Sequence, residues 1–164
     1  MSNGVDREVG SVGALIEVKT GSINGLNGQA EPWEAIDFLV DSGASATVVG
    51  ESMTQAVEAS SPDPELTYKL ADGSYIPNKG RKVFKAVTDE GWERKLTTQV
   101  TDVDRPLLSV SAIVKGGNKV VFDPSGSYIE DQDGQRIAME ERNGLFTLRM
   151  WVPKDQDSRF QGQA

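Results

Sequence analysis

The chain has 164 residues, 37% hydrophobic and 26% charged, a length and balance that fit one globular domain and not a disordered segment. Its 17 Lys and Arg against 25 Asp and Glu leave a formal net charge of −8, which argues against a nucleic-acid surface built on cations. It contains no Cys and no His, which excludes a disulfide frame, a thiolate nucleophile, Ser-His-Asp and Cys-His catalysis, and thiolate or imidazole metal ligation.

Short apolar segments punctuated by Gly and Pro predict an all-β domain with many turns. Residues 1–11 form a polar arm, and Ala14 to Lys19 alternates as a strand except at Leu15. Asn24-Gly25 and Asn27-Gly28 mark the loop after it, and Trp33 to Val40 reads as the return strand. Glu51 to Ala59 is predicted as a short helix that stops before Ser61-Pro62-Asp63-Pro64. Lys82 to Thr88 and Trp92 to Val100 flank Asp89-Glu90-Gly91, a three-residue hairpin loop with Gly91 at its left-handed position. Trp92, Leu96 and Val100 fall on one face of the second strand, and Glu93, Lys95 and Gln99 on the other. Leu107 to Lys115 is predicted as a helix ended by Gly116-Gly117. Val120 to Phe122, Ser127 to Ile129, Gln135 to Met139 and Leu145 to Val152 complete the strands, with turns at Asp133-Gly134 and Asn143-Gly144. Residues 153–164 are a polar tail, which leaves 12–152 as the domain. No apolar run is long enough for a spanning helix or a signal-peptide core, so no membrane partner is expected.

The informative stretch is Phe38-Leu39-Val40-Asp41-Ser42-Gly43-Ala44-Ser45, an apolar strand running into a small polar loop, followed by a second apolar segment at Thr47-Val48-Val49. Each residue type has a physical use. Asp41 is a carboxylate able to polarise water, and Ser42 offers a hydroxyl that can fix the loop or reach a second chain. At position 43 the missing side chain lets the backbone N–H approach the carboxylate. Ala44 and Ser45 keep the bottom of a cleft narrow. The structural alternative is a strand-to-turn in which Asp41 and Ser42 satisfy local N–H groups.

This stretch resembles the active-site signature of aspartic proteases, and the chain as a whole resembles the retropepsins, within them the proteases of copia-type retrotransposon polyproteins. Tyr68-Lys69-Leu70-Ala71-Asp72-Gly73-Ser74 is similar to that group's flap hairpin. Val103-Asp104-Arg105-Pro106-Leu107-Leu108-Ser109-Val110-Ser111 is similar to the segment entering its helix, and Asn143-Gly144-Leu145-Phe146-Thr147-Leu148 to the segment that closes the region. Ser45 stands where viral retropepsins carry an Asp paired with the Arg before the helix, here Arg105.

The resemblance implies a retropepsin-like closed β-barrel or sandwich with one short helix in its C-terminal half, forming one lobe of a two-fold dimer. It implies an aspartic endopeptidase with Asp41 as the catalytic carboxylate and Ser42, Gly43, Ala44 and Ser45 as its loop. Leu70, Ala71, Asp72, Gly73 and Ser74 become a substrate-binding flap. Only one Asp-Ser-Gly is present, while this chemistry needs two carboxylates sharing a proton, so a homodimer is expected to supply the second Asp41. The family commonly interleaves chain ends, which points to Gly13–Val18 and Phe146–Val152 as shared strands. No metal and no cofactor is expected, the substrate is an extended peptide, namely its own polyprotein, and the absence of Cys fits an intracellular, cytoplasmic setting. A retropepsin-fold module that dimerises or binds without cutting, and a monomeric peptide-binding β-domain, remain open on the motif alone.

Other features have plainer readings. Asp72-Gly73 is alternatively an ordinary hairpin turn. Ile129 occupies the first ligand position of a calcium-loop alignment over Glu130 to Gly134, which favours a solvated turn. Trp33, Trp92 and Trp151 are expected in the core or an interface.

Overall fold

The computed structural model describes residues 32–156. Over that span the chain is all-β with one short helix. The strand expected at Ala14 to Lys19, the Asn-Gly pairs that follow it and the arm at 1–11 lie outside the described residues. The elements are β1 (Trp33–Asp41), β2 (Val48–Val49), β3 (Thr67–Lys69), β4 (Tyr75–Pro77), β5 (Arg81–Thr88), β6 (Glu93–Val100), β7 (Leu107–Ser109), α1 (Val110–Lys115), β8 (Lys119–Val121), β9 (Ser127–Glu130), β10 (Arg136–Arg142) and β11 (Leu145–Pro153).

Strand β1 shows how pattern becomes architecture. Ile36, Phe38 and Val40 are buried, while Ala35 and Asp37 are exposed and Leu39 is half-buried, as the two-residue period of a strand requires. The strand pairs with β11 on one edge and β7 on the other. From β7 the pairing continues through β2, β6 and β5 back to β11, so these strands close into a ring. Its centre is apolar. Phe38 and Phe84 are completely buried, with Val100, Leu108, Leu148 and Val152 nearly so, and each such burial contributes about 1.5–3 kcal/mol. Trp92 and Leu96 pack onto this core from the face predicted for β6. The β5–β6 loop has the expected form, with Gly91 at φ 93° and its N–H donating to Thr88 O at 2.9 Å. Strands β10, β9 and β8 extend from the first residues of β11, and β3 and β4 form a separate hairpin.

The expected helix over Glu51 to Ala59 does not form. Two separate turns stand there, Met53 N–H to Gly50 O at 3.1 Å and Val57 N–H to Thr54 O at 3.0 Å, with Thr54 at φ 52° between them. Long-range bonds override local propensity. The Thr54 N–H donates to the Glu34 carboxylate at 3.0 Å, and the buried Lys82 ammonium donates to Met53 O at 3.0 Å, Thr54 O at 2.9 Å and Thr54 Oγ1 at 3.2 Å. A helix would need those backbone groups for itself. Burial pushes the Lys82 ammonium below the ordinary lysine value of 10.5, while the Glu34 carboxylate opposes that shift.

The helix predicted over Leu107 to Lys115 begins three residues late. Leu107–Ser109 is drawn into the sheet as β7, and Ser109 caps α1 by accepting the Ala112 N–H at 3.0 Å. An apolar run this short does not announce where a strand yields to a helix. The end at Gly116-Gly117 is as predicted, with the Gly116 N–H bonded back to Ala112 O and Ile113 O.

The implied use of Phe146–Val152 as a strand shared between chains also meets a correction. Both edges of β11 are occupied within the chain, one by β1 from Thr147↔Leu39 to Pro153↔Trp33, the other by β10 at Leu145–Thr147 and by β5 at Met150 and Trp151. Most of this strand's backbone is thereby paired within the chain, and on its second edge only Leu148–Arg149 and Val152–Pro153 fall outside those pairings. Beyond it, the Gln156 amide donates to Lys85 O and accepts the Lys85 N–H, each at 3.3 Å, so the first tail residues stay against β5. Among the described residues no helix is long and apolar enough to cross a membrane.

The Lys82 contacts can be tested. Lys82→Met keeps the apolar stem but leaves the Met53 and Thr54 carbonyls without their donor, and is expected to cost about 1–3 kcal/mol. A urea titration reads this as a lower midpoint at unchanged slope; an unmoved midpoint would mean that other contacts hold the 50–57 turns.

Candidate active site

Asp41 is the last residue of β1, in parallel register with Ser109 at the end of β7. Beyond it the chain leaves the sheet, turns through Ser42 to Ala46 and returns as β2, with β7 inserted between the two strands that the loop joins. The carboxylate is half-buried and Ser42, Gly43 and Ser45 are exposed. The Gly43 N–H donates to Asp41 Oδ1 at 2.8 Å, and a Cβ at position 43 would press to 3.3 Å from that same oxygen. Among the described residues the other carboxylate oxygen accepts no hydrogen bond.

The inserted strand fixes the loop. The fully buried Ser109 donates through Oγ to Ala44 O at 2.7 Å, and its N–H donates to Thr47 Oγ1 at 3.1 Å. Its hydroxyl therefore serves two elements at once, giving its one hydrogen to the loop and accepting from the first turn of α1.

The predicted flap is a hairpin of β3 and β4, paired from Thr67↔Pro77 to Lys69↔Tyr75. Its tip holds the five predicted residues. Leu70 N–H donates to Ser74 O at 2.8 Å, Gly73 N–H to Leu70 O at 2.9 Å, and Ala71 lies exposed between them. The Asp72 carboxylate accepts the Ser74 hydroxyl at 2.6 Å and the Ser74 N–H at 2.9 Å, which holds its carboxyl below the ordinary 3.8. Tyr68 and Ile76 form a half-buried face, while Thr67, Lys69, Tyr75 and Pro77 are exposed. Burial raises the Tyr68 phenol above its ordinary 10.0, so it is protonated at neutral pH.

Loop and hairpin meet across space. Gly43, Ala44, Ser45 and Ala46 on one side and Tyr68, Leu70 and Ile76 on the other line an open cleft of about 150 Å³, with Val48 and Leu107 adding apolar surface. Of the residues singled out in the sequence, Gly43, Ala44, Ser45 and Leu70 line this cleft, while Asp41, Ser42 and Ala71–Ser74 lie outside its lining; the parts played by Ser109, Thr47 and Tyr68 depend on strands far apart in the chain. A larger groove of about 600 Å³ lies around Asp37, Glu90, Arg142 and Arg149. Several of its charges are already engaged, Arg149 forking onto Asp37 at 2.6 and 2.9 Å, Asp89 accepting the Trp151 indole N–H at 2.6 Å and Glu90 accepting the Ala138 N–H at 2.8 Å. The cleft beside Asp41 is the better candidate for chemistry.

The acidic turn after Ile129 is a turn. Asp131 Oδ1 accepts the N–H groups of Asp133 and Gln135 at 2.9 Å each, and its Oδ2 takes Arg94 at 2.7 Å. Trp92 packs on the core, and Trp151 is half-buried on the outer face beneath the Arg149 guanidinium.

No protein-family model matches the chain, and no curated protein matches it. What the site can do follows from its own geometry: the chain presents one carboxylate, with one oxygen held and the other open, next to a loop that walls a small cleft of mixed polar and apolar lining.

Ser109→Ala removes the donor to Ala44 O and the cap of α1 together. The expected cost is about 1–3 kcal/mol, measured by urea unfolding. A change below a few tenths would show that the loop does not depend on this hydroxyl.

Proposed function

We propose that the chain is a retropepsin-like aspartic endopeptidase that works as a homodimer, with two Asp41 carboxylates facing one another. The observation that carries this reading is the shared cleft: the loop that follows Asp41, through Gly43–Ala46, and the hairpin, through Tyr68, Leu70 and Ile76, wall the same space. The closed ring with one short helix is compatible with a retropepsin lobe.

One carboxylate cannot do the work alone, because peptide hydrolysis at a pair of acids needs one as base and one as acid. In the dimer the unprotonated Asp41 takes a proton from water, and the oxygen of that water bonds to the peptide carbonyl carbon. The protonated Asp41 gives its proton to the carbonyl oxygen. As the tetrahedral adduct collapses, a proton passes to the nitrogen, the C–N bond breaks, and an acid and an amine leave. The Gly43 N–H holds one oxygen of each carboxylate in place while its charge changes. An extended segment fits between loop and hairpin, and Val48, Ile76 and Leu107 favour an apolar side chain near the cut. The substrate in this reading is the chain's own retroelement polyprotein. The second copy approaches the ring at the Asp41 end, since most of β11 is already paired on both edges.

Cleavage of a peptide library by the wild-type chain and by Asp41→Asn tests the reading. Asp41→Asn is expected to lose roughly 10²- to 10⁴-fold in rate with an unchanged urea midpoint. Undiminished cleavage by the variant would remove Asp41 from the chemistry.

A further inference from the structure

Two strands of three residues do not hold together unaided, and the tip of this hairpin is exposed from Leu70 to Tyr75. Its anchor lies at the foot. Asn78, the residue after β4, is buried, and every polar atom of its side chain is engaged. Its Nδ2 donates to Tyr68 Oη at 3.0 Å, to Gln99 Oε1 at 2.9 Å and to Gly80 O at 3.2 Å. Its Oδ1 accepts the N–H groups of Asp63 at 2.9 Å and Gly80 at 3.0 Å. Two amide hydrogens serve three acceptors, so the longest contact, to Gly80 O, shares one of them. The Asn78 N–H adds a bond to Leu66 O at 3.1 Å.

We infer that Asn78 is the positioning residue of the hairpin: its amide clamps the hairpin's foot to the barrel and holds the Tyr68 ring as a wall of the Asp41 cleft. The effect on substrate rests on the proteolytic reading of that cleft; the clamp itself does not. A side chain that merely closed a local turn would use Oδ1 alone, as it does toward Gly80, and leave its NH2 to water. Here the NH2 reaches ten residues back to Tyr68 and twenty-one forward to Gln99. Gln99 also ties the clamp to the opposite wall, since its own N–H donates to Thr47 O, and Thr47 Oγ1 accepts from Ser109 beneath the Asp41 loop. Both walls of the cleft are thereby referenced to one residue of β6. Among the described residues the Tyr68 hydroxyl makes no other hydrogen bond, so loss of its tie to Asn78 frees the ring to leave the wall.

Tyr68→Phe removes one oxygen and keeps the ring, and Asn78→Ala removes the clamp. Amide hydrogen exchange and peptide cleavage are measured on both. In Tyr68→Phe, exchange at Leu70 and Asn78 is expected to quicken by about three- to tenfold, the loss of one hydrogen bond, while Phe84 and Leu148 in the ring are unmoved. KM for an extended peptide is expected to rise by a similar factor, with kcat held within about twofold. Asn78→Ala is expected to show the larger changes of the same kind where it folds, and Tyr68→Phe decides the matter where it does not. Unchanged hairpin exchange in Tyr68→Phe overturns the clamp, and faster exchange with an unmoved KM overturns the positioning role. Faster exchange in a protein whose wild type cuts no peptide supports the clamp and sinks the proteolytic reading instead.

Discussion

Strand β1 is hydrogen-bonded along both edges, to β11 from Leu39 to Trp33 and to β7 from Leu39 to Asp41, and this double pairing places the carboxylate. An edge strand could slide or fray and carry Asp41 with it. A strand held on both sides and packed through Ile36, Phe38 and Val40 cannot slip by one residue without turning those side chains out of the core. The inserted β7 then does a second task, because the residue opposite Asp41 is Ser109, whose hydroxyl fastens the loop beyond it. Order in the ring thus passes directly to the site.

The two walls of the cleft differ in how they are held. The Asp41 loop is bonded to fully buried groups and to the start of a helix. The hairpin rests on its half-buried face and on the polar cluster at its foot, so it belongs to the low-stability end of the molecule. One wall is therefore fixed along its length, and the other is fixed at its foot and free at its tip.

Much of this was legible in the order of residues. The alternation at Ile36, Phe38 and Val40, the loop Asp89-Glu90-Gly91 and the small residues after Asp41 are local patterns with local causes, and each stands in the structure where the pattern puts it. The turns at 50–57 were not legible, because the donor that holds them, Lys82, arrives from another strand. The same holds for Leu107–Ser109, whose partners in β1 and β2 are more than fifty residues away. No local pattern singles out Asn78, and only the positions of Tyr68 and Gln99 reveal what its amide does.

The pairing of two Asp41 carboxylates is tested most directly by the rate of peptide cleavage across a dilution series of the wild-type chain. If each chain brings half of the catalyst, the rate falls with the square of the chain concentration once dimers dissociate, and regains proportionality where sedimentation shows dimers. A rate strictly proportional to concentration in a range where sedimentation shows only monomers would contradict it.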